Sequence, residues 1–518
     1  MGVPAIGADV TGLQKHTADG YAFCQGGMLR KNEFGLWEIR LEGSPEQIGA
    51  AQGILARDLL YYQESVFVRQ IREIIPSDSY LRFLRFFTII FNRNFGNLVP
   101  EEFRREIYAL SLFCTDEFDQ IGTPYERQLN YHAAHDIGHT MQDYMLVGCS
   151  SFAAWGTASA DSTLIVGRNF DFYVGDEFAE NKLISFVNPD HGYRYVSIGW
   201  AGMIGVLSGM NENGITITLN AAKGTPPLTG ALPISLLARE ILQYAATVDE
   251  AYQIAQSRKT FVSESLLIGS ASEKKAVLIE KTPQKIALYE SPADWLVSTN
   301  HYQSEAFRND PENLKNIEMS DSKYRFDRMT ELLHNAFPLT ALKSADILRN
   351  RTGLHNRHIG LANEKAINQS IAHHSVIFNP DRLQMWVSTA PWQDGAYICY
   401  DLNKIFGLTD FSSPIHEQAL SIPADSMFLK HDYPQVCYYR ASCLQIKKAI
   451  RSGEMLNSDF IAAFIRSNPN HYYVYTLLGD YFDSRAEKEQ AYYYWSKAVG
   501  CEVPSLRELK HLNKKLKR

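Results

Sequence analysis

Hydrophobic spacing divides the chain into three stretches. From about Pro45 to Gln142 apolar residues recur mostly at helical intervals, as in Pro45–Ile71 and Ser79–Phe95. The segment from Tyr80 to Phe91 is very apolar, with arginines interspersed. It reads as a buried helix whose arginines lay their stems along apolar surface. A surface that meets acyl chains or a membrane is the other reading. Residues 1–30 read as a loose leader. From Cys149 the texture changes to strands, predicted at Ser151–Trp155, Thr163–Asn169, Tyr193–Gly199, Ile204–Met210 and Ile215–Asn220, with Asn211-Glu212-Asn213-Gly214 as a tight turn. Helices near Ile234–Tyr244 and Val248–Gln256 follow. Strands return at Ser263–Gly269, Lys275–Glu280, Lys285–Tyr289 and Trp295–Thr299. Helices at Ser322–Asn335 and Thr340–Asn350 precede strands at His374–Phe378, Gln384–Ser388 and Tyr397–Asp401. Strand runs that alternate with helix pairs, joined by hairpins, predict an α/β (α+β) sandwich with helices outside two antiparallel sheets.

Three regions result: a mostly helical segment 1–148, a core 149–408 and a helical extension 409–518. Within the extension, Tyr475, Leu478, Gly479, Phe482, Ala491, Trp495, Ala498 and Pro504 resemble one tetratricopeptide repeat, at about 472–505. A single copy cannot bury its own face, so it must pack on residues 415–470 or on the main body. It reads as a structural cap. A surface for a protein partner or a second copy of the chain is the alternative.

Composition narrows the class. The 518 residues are 45% hydrophobic and 21% charged, as in ordinary soluble globular proteins. With 51 basic against 58 acidic side chains the net charge is −7, which argues against nucleic acid as the main partner. The seven cysteines are scattered, with no Cys-x-x-Cys pair, so neither a disulfide framework nor a zinc knuckle is suggested. No apolar run is long enough for a transmembrane helix. Residues 1–28 lack a signal-peptide pattern, so a cytoplasmic enzyme is expected, or a periplasmic one if a signal has been removed.

The densest chemistry is at Gly148-Cys149-Ser150-Ser151. Arg168 and Asp171 follow Cys149 by 19 and 22 residues, within one hairpin. A glycine permits the strained backbone that attack of a thiol on its own peptide bond needs. Attack of Cys149 on the Gly148 carbonyl would give a thioester, and hydrolysis would free the α-amino group of Cys149. That amine titrates near neutrality, so it can take the thiol proton and pass it to a leaving amine. Asp171 could hold the resulting ammonium, and Arg168 could lower the thiol pKa. Three apart on a strand, these two face opposite sides unless a bulge intervenes. A plain salt bridge between them is the ordinary alternative.

Cys149, Gly167-Arg168-Asn169-Phe170-Asp171, Asn211 with Gly214 leading to Leu219-Asn220, Ser298-Thr299-Asn300-His301 and Ser322–Arg328 together resemble the N-terminal-nucleophile hydrolases. They are most similar to the acyl-coenzyme A:6-aminopenicillanic acid acyltransferase family, with bile-salt (choloylglycine) hydrolases, penicillin V acylases and acid ceramidase more distant. The resemblance covers about residues 30–405 and implies a four-layer αββα sandwich, cleavage at Gly148–Cys149 and no cofactor. It implies Cys149 as nucleophile, Arg168 beside the thiol and Asp171 on the amine. Asn220 would donate to the tetrahedral oxyanion, Asn300 would bond near the amine or the substrate amide, and Arg325 would complete the polar network. The substrate would be a small N-acyl amide or acyl thioester, and the product an amidohydrolase or acyltransferase reaction. Ordinary turn or surface ion-pair roles are the alternatives for Asn220, Asn300 and Arg325.

A rival constellation lies upstream. His132, His135, Asp136 and His139 share one helical face by i, i+3 and i+4 spacing, a plausible metal-binding face. A metal-dependent hydrolase built on it is therefore the alternative chemistry, and a non-catalytic scaffold using the C-terminal repeat is the alternative class.

Overall fold

The structure is a computed structural model that describes residues 2–7, 10–74, 98–140, 146–224, 231–408 and 410–517. The very apolar stretch Tyr80–Phe91 lies outside the described residues. Two sheets form the core. The larger joins β1 (His16–Ala18), β2 (Tyr21–Cys24), β3 (Gly27–Lys31), β4 (Trp37–Gly43), β7 (Leu183–Pro189), β8 (Tyr195–Gly199), β9 (Ser208–Asn211), β10 (Ile215–Ala221), β11 (Glu264–Ser270), β12 (Lys275–Lys281) and β13 (Ile286–Glu290) in that order. The smaller has the order β14 (Trp295–Ser298), β5 (Leu146–Ala154), β6 (Ile165–Tyr173), β15 (Ala372–Asn379), β16 (Gln384–Ser388) and β17 (Tyr397–Asp401). Neighbours are antiparallel except β4 and β7, which run parallel from Trp37↔Leu183 to Gly43↔Pro189.

The sheets face each other through one apolar layer. Ile184, Phe186, Val196, Ile198 and Leu278 of the larger sheet meet Ala153, Val166, Val376, Val387 and Ile398 of the smaller. Helices α1 (Pro45–Leu55), α2 (Arg57–Ile74), α3 (Glu101–Ser111), α4 (Pro124–Thr140), α5 (Ile234–Tyr244) and α6 (Val248–Ser257) pack on the larger sheet's side. After α7 (Pro311–Met319), α8 (Ser322–Ala336) and α9 (Ala341–Leu348) cover the smaller sheet, burying Met329, Leu333, Ile347 and Leu348 against Phe152, Ile165 and Ile377. The layers are helix, sheet, sheet, helix, the αββα sandwich expected from the sequence.

The leader differs from expectation. Within residues 1–30, read as a loose leader, β1, β2 and most of β3 form instead, and β4 follows and extends the core sheet. Its alternation Trp37-Glu38-Ile39-Arg40-Leu41 buries Ile39 and Leu41 beside the helices. Glu38, on the opposite face, accepts from Arg30 Nε at 2.5 Å and Tyr400 Oη at 2.7 Å, tying the leader to β17. The segment before Cys149 is therefore strand as well as helix, and shares its sheet with the segment after it.

The extension folds around its own core. Helices α10 (Tyr433–Ser452), α11 (Ser458–Ser467), α12 (Tyr472–Ser484), α13 (Lys488–Val499) and α14 (Leu506–Lys515) enclose Ile446, Phe464, Leu478, Ala491, Trp495 and Leu512. α12 and α13 form the helix pair expected at 472–505. Gly479 allows their contact, because the Trp495 indole occupies the space a Cβ would need. The tetratricopeptide identity of this pair stays a resemblance. The extension grips the loop before β15: Asn468 exchanges bonds with the Leu361 backbone at 2.9 and 2.8 Å, and Glu502 pairs with Lys365 at 2.7 Å. Among the described residues no helix is long and apolar enough to cross a membrane.

Candidate active site

The site is built on the β5–β6 pair. The register Gly148↔Asp171, Cys149↔Phe170, Ser150↔Asn169 and Ser151↔Arg168 runs without a bulge. Directly opposed residues share a face, and successive ones alternate. Cys149, Ser151, Arg168 and Phe170 thus point between the sheets, where Ser151 Oγ donates to Asn220 Oδ1 in β10 at 2.9 Å. Gly148, Ser150, Asn169 and Asp171 point to the outer helices, where Asn169 Nδ2 donates to Leu348 O of α9 at 2.8 Å. Arg168 and Asp171 lie on opposite faces of the β5–β6 pair.

On the inner side, Arg168 Nη2 lies 3.6 Å from Cys149 Sγ. The guanidinium is fully buried and also donates to Leu207 O at 2.7 Å, to Ser208 Oγ at 2.5 Å and to Leu219 O. Its central carbon stands 4.4 Å from the Phe170 ring centroid. Burial pushes the Cys149 thiol pKa up, and the positive charge of Arg168 pulls it down. Ser208 Oγ also bonds His374 Nε2 at 2.8 Å, and His374 Nδ1 meets His373 Nδ1 at 3.0 Å. Burial lowers the His373 pKa to about 3 and that of His374 well below its ordinary value, and His374 braces the Ser208 hydroxyl that accepts from Arg168. Sequence reasoning missed this pair and Ser208. The only signal was an adjacent His-His at the head of a strand.

Away from β6, the Cys149 N–H donates to Asn300 Oδ1 at 3.2 Å, and Asn300 Nδ2 donates to Ala221 O of β10 at 2.8 Å. Arg325, on α8 and 1% exposed, donates to Cys149 O at 2.6 Å, Ser150 Oγ at 3.0 Å and Asn300 Oδ1 at 2.5 Å. The two distant motifs are clamped together, since Asn300 N donates to Ser322 Oγ at 2.8 Å. Asp171 is 0% exposed, and neither carboxyl oxygen has a hydrogen-bond partner among the described residues. Burial raises its pKa to about 8, against the lowering charges of Arg325 and Arg168. An unpartnered buried carboxyl is costly, and a cation created beside it would relieve that cost.

Other expectations fare differently. Asn220 lies near the thiol side, but its Nδ2 is engaged by Ser298 O at 3.1 Å and Ser298 Oγ at 3.0 Å, so its donors are spent across the sheets. Gly148 has no left-handed backbone; its lack of a Cβ makes room instead, because Gln369 Nε2 would lie 2.7 Å from one. The metal alternative does not gain support. His132 uses both ring nitrogens, Nδ1 on Gln128 O at 2.8 Å and Nε2 accepting from Ile204 N at 3.0 Å. The side chains of His135, Asp136 and His139 lie outside the described residues. Among the described residues no group of His, Cys, Asp or Glu is arranged to hold a metal ion.

A cavity opens beside β6. Phe172, Phe178 and Trp200 line it together with Leu60 and Phe67 of α2 and Met203, and Glu64 and His132 border it. The Phe172 ring stacks on Phe170 at 5.6 Å, and Phe170 is the cross-strand neighbour of Cys149.

Residues 158–391 match the acyl-coenzyme A:6-aminopenicillanic acid acyl-transferase family. The resemblance read from the sequence motifs is thereby borne out for the region that carries Arg168, Asp171, Asn220, Asn300 and Arg325. An uncharacterized protein of Archaeoglobus fulgidus is 25% identical over 399 residues, which is 69% of this chain and 65% of that protein. The chain thus spans about 65% of the length of that relative. Solved structures with similarity include a Caenorhabditis elegans N-acylethanolamine-hydrolyzing acid amidase ortholog, at TM-score 0.32 and 18% identity over 45% of this chain and 93% of the other. Conjugated bile acid hydrolase from Clostridium perfringens gives TM-score 0.35 and 12% identity over 49% and 93%. Penicillin V acylase from Agrobacterium tumefaciens gives 0.35 and 16% over 49% and 87%.

Proposed function

We propose that the chain is a self-cleaving cysteine enzyme that hydrolyses or transfers the acyl group of a non-peptide amide through a thioester on Cys149. The observation that carries this reading is the buried Asp171 carboxyl, without a hydrogen-bond partner among the described residues and directly across from Gly148. In the cleaved chain it would supply the counter-charge to the α-ammonium that cleavage before Cys149 creates.

Cys149 Sγ, beside Arg168, attacks the Gly148 carbonyl carbon, and its proton passes to the amide nitrogen as the C–N bond breaks. Water hydrolyses the thioester, leaving a Gly148 carboxylate and a free Cys149 thiol and amine. The amine, held by Asn300 Oδ1 and Asp171, then serves as base for the thiol. A substrate acyl carbon takes the place Gly148 held. The thiol proton reaches the leaving amine through the Cys149 amine, and a water or an acceptor amine returns the thiol. Residues 1–148 are a small subunit that stays bound, because β4 is hydrogen-bonded into the sheet of the remainder. The aromatic cavity beside Phe172 would take an apolar acyl chain.

The test is to incubate the protein with N-acyl amino acids, N-acyl amines, bile-acid conjugates and penicillins, then quench in acid. A substrate of this enzyme leaves an acyl adduct on the peptide beginning at Cys149 and releases its amine. An adduct on any other residue, or turnover by a Cys149→Ala chain, defeats the proposal.

A further inference from the structure

We propose that the side-chain amide of Gln369 is the oxyanion donor for cleavage of the Gly148–Cys149 bond. This rests on the self-cleavage reading above and adds a residue that neither the motifs nor the hairpin point to. Gln369 lies three residues before β15, the strand whose Ala372 pairs with Asp171. It is 4% exposed, and its Nε2 has no hydrogen-bond partner among the described residues. The amide covers Gly148 on the outer face: a Cβ there would stand 2.7 Å from Nε2 and 3.3 Å from Oε1.

The direction of attack gives that position a purpose. The Cys149 side chain points between the sheets, so its sulfur approaches the Gly148 carbonyl carbon from the inner face. As that carbon becomes tetrahedral, its oxygen bends toward the opposite, outer face, where the Gln369 amide waits. The ladder supplies a second donor. Cys149 turns its own N–H and C=O away from β6, to Asn300 and Arg325. By the alternation of antiparallel pairs, the Gly148 carbonyl then faces the backbone N–H of Asp171. One backbone and one side-chain donor make an oxyanion site of the ordinary kind. In the step itself the S–C bond forms, the carbonyl π pair moves onto oxygen and returns, and the C–N bond breaks as nitrogen takes the thiol proton.

The loop is held for this. Ser370 has φ 54°, a conformation that side chains disfavour and surrounding bonds must maintain. Its N–H donates to Asn368 Oδ1 at 2.9 Å, and Asn368 Nδ2 is anchored on Asp394 at 2.9 Å. Its carbonyl accepts from Arg440 of α10, which also bonds Asp176 at 2.9 Å. The C-terminal extension thus fixes the neighbour of Gln369 relative to the scissile bond.

The experiment follows the appearance of the two fragments after synthesis of the full chain, by mass, across pH. Gln369→Leu removes the donor and should slow cleavage by about 10²–10³ at every pH. Gln369→Glu donates only while protonated, and burial at this 4% exposed position raises a carboxyl above its ordinary pKa of about 4.3, so its rate relative to the unsubstituted chain should fall toward the Leu level as pH rises through that raised value. A merely structural role would not produce that profile. Cleavage of the Leu chain at the unsubstituted rate overturns the inference, and so does a pH-independent ratio for the Glu chain, which decides the matter if the Leu chain fails to fold. If the unsubstituted chain itself never cleaves, it is the self-cleavage reading that fails.

Discussion

Replacing Asp171 by Asn in an uncleavable Cys149→Ala chain isolates the electrostatics of the precursor. In the unfolded chain this carboxyl ionises near 3.8, whereas burial in the fold raises its pKa to about 8. Between those values the folded form holds one proton more than the unfolded form. Stability contributed by the protonated carboxyl is therefore fully present below about pH 4 and is lost as pH rises toward 8. About four units of difference correspond to on the order of 5 kcal/mol. Asn has nearly the same shape and no proton to lose. The Cys149→Ala chain should lose stability steadily from about pH 4 to pH 8, and the double variant should not, the two coinciding at the acid end. Urea unfolding midpoints at a series of pH values measure this. Equal pH slopes for the two chains would refute the claim that Asp171 is a buried carboxyl awaiting a cation.

Arg325→Ala removes donors to Cys149 O, Ser150 Oγ and Asn300 Oδ1; it should cost about 3–5 kcal/mol of stability and slow cleavage, read by denaturant unfolding and fragment mass. Chelators should leave turnover of processed protein unchanged, because His132 spends both nitrogens inside the fold; activity lost to chelator and restored by metal would contradict this. Gly479→Ala puts a methyl into the Trp495 ring and should destabilise the extension by about 1–3 kcal/mol, seen as earlier protease attack on residues 433–517 than on the core.

Period-two alternation carried most of the core into view. The strands Gln384–Ser388 and Tyr397–Asp401 have the ends read from the sequence, and so does the helix Ile234–Tyr244, read from its 3.6-residue period. The same alternation implied that Arg168 and Asp171 face apart, and in the structure they lie on opposite faces of the β5–β6 pair. What stayed hidden is tertiary. β4 alternates as clearly as any core strand, yet its place in the sheet depends on parallel pairing with β7, some 145 residues on. Gln369, Ser208 and His374 are ordinary residues until folding brings them to the hairpin. Asn220 shows the converse. Its motif is legible, but Ser298, which takes its donors, comes from the facing sheet. Gly148 was read for backbone freedom, whereas its smallness serves a neighbour 221 positions away.

The central claim is that a free amine on Cys149 completes the site. Intact-mass analysis of the purified full chain, beside its Cys149→Ala variant, tests it most directly. The account predicts two fragments parted before Cys149 in the first protein and a single inactive 58.7 kDa chain in the second. An unbroken first chain that still turns over an N-acyl amide would contradict it.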